Sequence, residues 1–334
     1  MAVSVKDVAA LAGVSVGTVS NVMNQPAKVS VQTVQRVQAA IEQLGFVRND
    51  AARQLRAGRS RAIGLIVLDV RNPFFTELAR GAEDRASESG HSLILGNSDE
   101  RTDREATYLD LFDEQRMHGI LISPHGDITA RLQRLRDRGI PVVLVDRTSP
   151  DDSFSSVSVD DVAGGSLAVV HLIEQGRRRI AFVGGPRSIR QVTDRLEGAR
   201  RVVAEHPDVR LETIETRALS VVEGRAAGVA ILERPVAERP DAVFAANDLI
   251  AMGVLQALNM QGSLHVPRDI ALIGYDDIDF ASAAVVPLSS IRQPSRTIGA
   301  TAVEILLAEA DDANTAPRHI VFQPELIVRE STAG

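Results

Sequence analysis

From about residue 60 onward, short apolar runs alternate with helix-length amphipathic stretches, and this alternation narrows the available folds more than any other feature of the sequence. The runs are Ile63–Leu68, Ser92–Leu95, Gly119–Ile122, Val142–Val145, Arg179–Val183, Ala242–Ala245 and Ile270–Ile273. Between them lie stretches of helical spacing such as Phe74–Ser89, Asp161–Gln175 and Asn247–Gln261. Strand–helix alternation predicts parallel sheets with helices on both faces. The body is too long for one such sheet, and its halves look alike. We therefore expect two similar α/β subdomains.

The first 45 residues read differently. Ser4, with Asp7 three positions on, can cap a helix whose apolar side is Val8, Ala9, Leu11 and Ala12, and Gly13 ends it. Ser15 can cap a second helix with Val19, Val22 and Met23 inward, broken by Asn24, Gln25 and Pro26. Ser30 caps a third, with Val34, Val37, Ile41 and Leu44 inward and Gly45 as its stop. Ala9, Gly13 and Val19 have helix-turn-helix spacing: a small residue for close approach, a glycine for the left-handed turn, an apolar anchor. A plain three-helix bundle shows the same triplet. What separates the two readings is the polar set Ser15, Thr18, Ser20, Asn21 and Asn24 around the second helix, short groups suited to phosphate oxygens and base edges.

Charge agrees with that reading. Residues 1–60 carry seven basic and three acidic side chains, a net +4, whereas the whole chain is at −7, which leaves −11 for the body. A basic head on an acidic body is the footprint of a protein that meets a polyanion with its head alone. The chain has no cysteine, which excludes disulfides, thiolate metal sites and cysteine nucleophiles. No apolar run approaches the ~20 residues of a membrane span, and no secretory pattern opens the chain, so a cytoplasmic location is expected. With no Trp and two Tyr, Phe must supply most of any aromatic wall.

Residues 49–58 have helical composition, but ten residues fall below the ~12–15 at which an isolated helix is stable. Leu55 stands there among Arg53, Arg56 and Arg59. Packing on the adjoining domain is one use for it. A minor-groove wedge flanked by phosphate-binding arginines is the other.

Several segments together resemble the LacI/GalR family of transcriptional regulators: Val5–Ala9, Val14–Asn24, Asn49–Leu55, Asn72-Pro73-Phe74-Phe75, Ala246-Asn247-Asp248, Ile273–Asp277 and Pro324-Glu325-Leu326. The resemblance spans essentially the whole chain. It implies an all-α helix-turn-helix head over 1–48, a hinge helix over 49–60, and an α/β effector-binding and dimerisation body over 61–334. The body would consist of two Rossmann-like parallel-sheet subdomains of periplasmic-binding-protein type, one of about 61–158 and 291–320, the other of about 159–290 and 321–334. It further implies a homodimer on a pseudo-palindromic operator, no membrane association and no cofactor. DNA contacts carried over by position are Ser15, Val16, Gly17, Thr18, Ser20, Asn21, Asn24, Ser30, Ala52 and Leu55, with base readout at Val16, Gly17 and Asn21. Gly17 departs from relatives that present a long polar side chain there, so readout at that position is thinner.

The body also resembles periplasmic sugar-binding proteins, those for ribose especially. That pattern assigns effector contacts to Asn72, Phe74, Phe75, Asp146, Arg147, Arg195 at a helix start, Asn247, Asp276 and Gln293, with Arg190 and Asp194 as second choices. The residue types suit a sugar. Carboxylates accept from hydroxyls, Arg and Asn donate to them, and Phe covers an apolar C–H face. Each also has a plainer use: Asp276-Asp277 as a turn pair, Asn247 as a helix cap, Arg147 in a surface ion pair. No phosphate loop, dinucleotide fingerprint or nucleophile elbow occurs, and the seven histidines show no metal-binding spacing, so neither a catalytic residue nor a metal is expected. The expected function is a repressor of a sugar catabolic operon answering to a pentose, ribose first. The alternatives are a purine or other non-sugar effector, or a sugar-processing enzyme with a DNA-binding head.

Overall fold

The computed structural model describes residues 3–46, 60–126, 128–149, 152–260, 264–312 and 314–333. Contacts divide the chain into two compact units, residues 1–59 and 60–334. In the first unit, α1 is Val5–Ala12, α2 is Val16–Asn24 and α3 is Val31–Leu44. The Asp7 carboxylate accepts from the Ser4 amide and hydroxyl at 2.8 and 2.7 Å, and Ser15 Oγ accepts from the Thr18 amide at 3.0 Å. Gly13 turns the chain at φ 65°, which lets Val14 N donate to Ala9 O at 3.0 Å and closes α1. The small core holds Val8, Ala9, Ala12, Val19, Val22, Val37 and Ala40. Leu11, expected on the inner side of α1, is instead 46% exposed. Its position after Ala9 and before Ala12 matches the helical period only loosely, and the smaller alanines take the buried stripe. Ala52, Leu55 and the rest of the expected hinge lie outside the described residues.

In the second unit two six-stranded sheets are built from β1 (Ala62–Val67), β2 (Ser92–Asn97), β3 (Gly119–Ile122), β4 (Val142–Val145), β5 (Ser155–Val159), β6 (Arg179–Val183), β7 (Arg210–Ile214), β8 (Ala242–Ala245), β9 (Ala271–Asp276), β10 (Ser289–Arg292), β11 (His319–Phe322) and β12 (Glu325–Ile327). The first sheet runs β11-β5-β4-β3-β1-β2 and is parallel throughout. The second runs β12-β10-β9-β8-β6-β7 and is parallel except for β12, which is antiparallel to β10. The chain passes between the sheets after β5, after β10 and after β11, so Ile291 and Arg292 belong to the second sheet and Val321 and Phe322 to the first.

Strand order reverses between β1 and β3 in one sheet and between β6 and β8 in the other. Ligands of open α/β sheets bind beyond the carboxyl ends of strands at such switch points. The topology therefore aims the loops after β1, β6 and β8 at one place. Of the body helices, α4 (Pro73–Glu88), α5 (Thr102–Glu114), α6 (Thr129–Asp137) and α12 (Ser295–Asp311) accompany the first sheet. The second is flanked by α7 (Asp161–Glu174), α8 (Arg190–Ala204), α9 (Val221–Leu232) and α10 (Asp248–Met260), with the short α11 (Asp279–Ser282) following β9.

Four of these helices pack in two backbone-close pairs, and glycines make the approach possible. A Cβ on Gly81 of α4 would sit 2.1 Å from Arg296 O of α12, and one on Gly299 would sit 2.0 Å from Leu78 O. The pair α7 and α8 repeats this: a Cβ on Gly165 would meet Arg195 O at 2.0 Å, and one on Gly198 would meet Val162 O at 2.0 Å. Neither obstruction is a side chain that can swing away. Gly299→Ala is therefore expected to lower unfolding stability by about 1–3 kcal/mol, as overpacking does. Urea denaturation checks this, and an unchanged midpoint would show that the two helices separate without cost.

Candidate functional site

A cleft lies where the carboxyl ends of both sheets meet. Its walls come from successive strand ends: Leu68, Asp69 and Asn72 after β1, Glu100 after β2, Asp146 after β4, Ile189, Gln191 and Arg195 after β6, Leu219 after β7, Asn247 after β8, and Asp276 ending β9. Phe74 and Phe75 from the first turn of α4 stand edge to face, centroids 5.0 Å apart.

Local structure explains why these side chains face inward. Asn72 caps α4, its Oδ1 accepting from Phe74 N at 3.1 Å, which leaves its amide free to donate to Asp276 Oδ2 at 2.8 Å. Asn247 does likewise for α10, accepting from Ile250 N at 2.9 Å. The capping use and the cleft position coexist in one residue. Asp146 and Asp276 have φ of 58° and 103°, a conformation seldom adopted by non-glycine residues, and it turns each strand sharply at the cleft.

Two hydrogen-bonded bridges cross from one subdomain to the other. Asn72 reaches Asp276, and Gln191 Nε2 donates to both the carbonyl and Oδ2 of Asp146 at 2.6 Å. Arg195 is the hub of the second subdomain's wall. Its Nε donates to Asp161 Oδ1 at 2.8 Å and Nη1 to Ala246 O at 2.8 Å, while Nη1 stands 3.8 Å from Asp276 Oδ1. The guanidinium also lies 3.6 Å above the Tyr275 ring. The Gly165–Arg195 backbone contact brings α7 close enough for this pairing with Asp161.

Three buried carboxyls thus share one guanidinium. Burial pushes Asp146 well above the ordinary carboxylate range, with Asp161 adding repulsion and Arg195 opposing it. Burial likewise raises Asp276, against Arg195, Asn72 and Gln293. The oxygen Asp146 Oδ1 is buried with no hydrogen-bond partner. A group of that kind asks for a donor from a ligand or water.

Of the nine effector contacts expected from the sequence, the structure brings Asn72, Phe74, Phe75, Asp146, Arg195, Asn247 and Asp276 to the cleft. The other two stand back from it. Arg147 donates to Pro124 O and Gly126 O at 3.2 and 3.5 Å, and Gln293 supports Asp276 Oδ1 from behind at 2.8 Å. Arg195 sits in the second turn of α8, not at its start. Arg190 and Asp194 pair with each other at 2.9 Å and line no part of the cleft. Sequence reasoning missed Asp69, Glu100, Gln191 and Asp161. Gln191 was legible in principle, since it lies four residues before Arg195 and so on the same helix face.

In the head, Ser15, Val16, Gly17, Asn21, Asn24 and Ser30 are exposed, and Thr18 and Ser20 are half-buried. Local bonds hold several of them: Ser15 Oγ with Thr18 Oγ1 at 2.9 Å, Asn24 Nδ2 to Ser20 O at 2.9 Å, Ser30 Oγ to Thr33 Oγ1 at 2.9 Å. A Cβ added at Gly17 would meet only Ser15 Oγ at 3.6 Å, so the position has room for a side chain.

Two family models match the chain. "Bacterial regulatory proteins, lacI family" covers residues 4–49 and "Periplasmic binding protein-like domain" covers 169–332. The ribose operon repressor of Bacillus subtilis is 37% identical over 98% of both chains, and the transcriptional repressor PurR of Aliivibrio fischeri is 34% identical over 98% of both. The lac repressor dimer bound to operator and an anti-inducer superposes with a TM-score of 0.85 at 28% identity, over all of both chains. A LacI-family regulator of Enterococcus faecium with bound ribose gives a TM-score of 0.74 at 28% identity, over 81% of this chain and 98% of that one.

Proposed function

The chain belongs to the LacI family of bacterial regulatory proteins, and we propose that it represses a sugar catabolic operon and releases its operator on binding a pentose, ribose first. It is a homodimeric, sequence-specific DNA-binding regulator whose head reads the operator and whose body holds the effector. The observation that carries the sugar reading is the cleft chemistry: an unpartnered buried oxygen on Asp146, beside the Asp276–Arg195 pair and two phenylalanine faces. Hydroxyls supply the missing donor and can accept from Arg195, while Phe74 and Phe75 cover a C–H face.

Sugar and operator affinity are linked through the two cross-cleft bridges. A ligand seated among Asn72, Asp146, Gln191 and Asp276 must exchange bonds with them, which biases how the subdomains meet. Coupling of this kind is reciprocal: the sugar weakens operator binding by the factor by which operator weakens sugar binding. Base readout falls to Val16 and Gly17 in the first turn of α2 and Asn21 in its second, with Ser15, Thr18, Ser20, Asn24 and Ser30 positioning the helix on phosphates. Ala52 and the wedge residue Leu55 complete the proposed contacts. The site binds its sugar and returns it unchanged; no catalytic role is assigned to any residue.

Calorimetry with ribose, other pentoses, hexoses and purines tests the reading. Heat with ribose and none with purines is expected. Binding of a purine with no response to any pentose would reject it.

A further inference from the structure

Glu100 lines the cleft, yet the effector pattern described above gives it no role. It follows β2 in a turn where Asp99 and Glu100 both hold left-handed backbone, φ 54° and 55°. Two acidic residues in succession at positive φ are uncommon, and such strain persists where the surroundings fix it, often at ligand sites. Here the fixing bonds are Glu100 N to Leu68 O at 3.1 Å and Arg101 N to Ser98 O at 3.0 Å. The turn thus ties the end of β2 to the end of β1 and places the Glu100 side chain in the cleft wall beside Asp69.

The two carboxyls differ in what they have left to offer. Asp69 is occupied: Oδ1 accepts from Arg71 N and Nε at 3.0 and 2.9 Å, and Oδ2 accepts from Nε at 3.0 Å. Arg71 also reaches Asp99 at 3.2 Å, and Arg104 holds the other oxygen of Asp99 at 3.1 Å. Among the described residues nothing donates to the Glu100 carboxyl. The same cleft holds the buried, unpartnered Oδ1 of Asp146, an independent sign of a space built for donors. Asp69, Glu100, Asp146 and Asp276 face it against one lining cation, Arg195.

We propose that Glu100 is a direct effector contact that accepts from a hydroxyl of an uncharged sugar and, with Asp69, turns away the phosphate ester of the same sugar. This inference rests on the pentose reading of the cleft. Burial, followed by the charges of Asp69 and Asp99 and opposed by Arg71, brings Glu100 up to about 7. Its negative charge is therefore fuller at pH 8 than at pH 6, and the bias against an anion should sharpen over that interval.

The test is calorimetry on the full-length protein and its Glu100→Gln and Glu100→Ala variants, with ribose and ribose 5-phosphate at pH 6 and pH 8. Thermal melts confirm that each variant is folded. Wild type should bind ribose and discriminate against the phosphate, more strongly at pH 8. Replacing the charged acceptor by a neutral amide should weaken ribose binding roughly tenfold at pH 8 in Glu100→Gln, with a smaller loss at pH 6. That variant should also narrow the preference over the phosphate and flatten its pH dependence. Wild-type ribose affinity together with wild-type preference in both variants would overturn the assignment of Glu100 alone. A wild-type protein that binds no pentose would instead overturn the pentose reading, and this inference with it.

Discussion

Asp276→Ala is expected to weaken ribose binding by roughly one to two decades while leaving operator binding in place, and so to produce a repressor that no longer responds to sugar. The expectation comes from the position of Asp276 between the two walls. Its Oδ2 takes the Asn72 amide from the first subdomain, its Oδ1 takes Gln293, and Arg195 stands 3.8 Å away. Removing the carboxylate deletes a ligand acceptor and one of the two cross-cleft bridges together. Arg195 keeps Asp161 at 2.8 Å, so no buried guanidinium is left unpaired and the fold should survive. Arg147→Ala should have a much smaller effect on sugar affinity, because that side chain is engaged with the Pro124 and Gly126 carbonyls. Titration of both variants by calorimetry, with a mobility-shift assay for operator, separates these outcomes. Ribose bound by Asp276→Ala as tightly as by wild type would remove Asp276 from the site.

Deletion of residues 1–59 is expected to abolish specific operator binding and to leave sugar affinity within about twofold. Specific protein–DNA complexes are typically ~10³–10⁷ tighter than non-specific ones, and the deleted unit carries the proposed readout helix and the positive charge. What remains carries −11 and should be repelled by phosphate. The body keeps both sheets and the complete cleft within residues 60–334, with its own cores. Operator retained in a mobility shift by the truncated protein would show that the body also reads DNA.

Much of this arrangement is legible in the chain. The seven apolar runs all became strands: six are interior parallel strands, buried on both faces along nearly all their length, while Ser92–Leu95 forms the edge strand β2, where Ile94 and Leu95 stay exposed. The five strands missed are those without such runs. In β5, Ser155, Ser156 and Ser158 are buried, but their hydroxyls hide the strand from any reading by hydrophobicity. In β7 the edge position leaves Arg210 and Glu212 exposed, and β11 and β12 are edge strands as well.

Within the cleft, residue types with a motif around them could be named in advance: Asn72 with Pro73, Phe74 and Phe75, Asn247 in its cap, Asp276 after Gly274 and Tyr275. Sequence by itself determined that the chain is a helix-turn-helix head on two parallel-sheet subdomains, because periodicity and capping are local properties of the chain. It also determined which strand ends carry carboxylates, amides and an arginine. Only tertiary structure decided which of these meet. Gln191 reaches Asp146 across 45 positions, Asn72 reaches Asp276 across 204, and Arg195 finds Asp161 because Gly165 lets α7 touch α8. The same holds for Arg147, turned onto neighbouring carbonyls, and for Glu100, which a left-handed turn places in the wall. Side-chain direction at a strand end depends on one or two backbone angles and on what already fills the space nearby, and neither is written in local sequence.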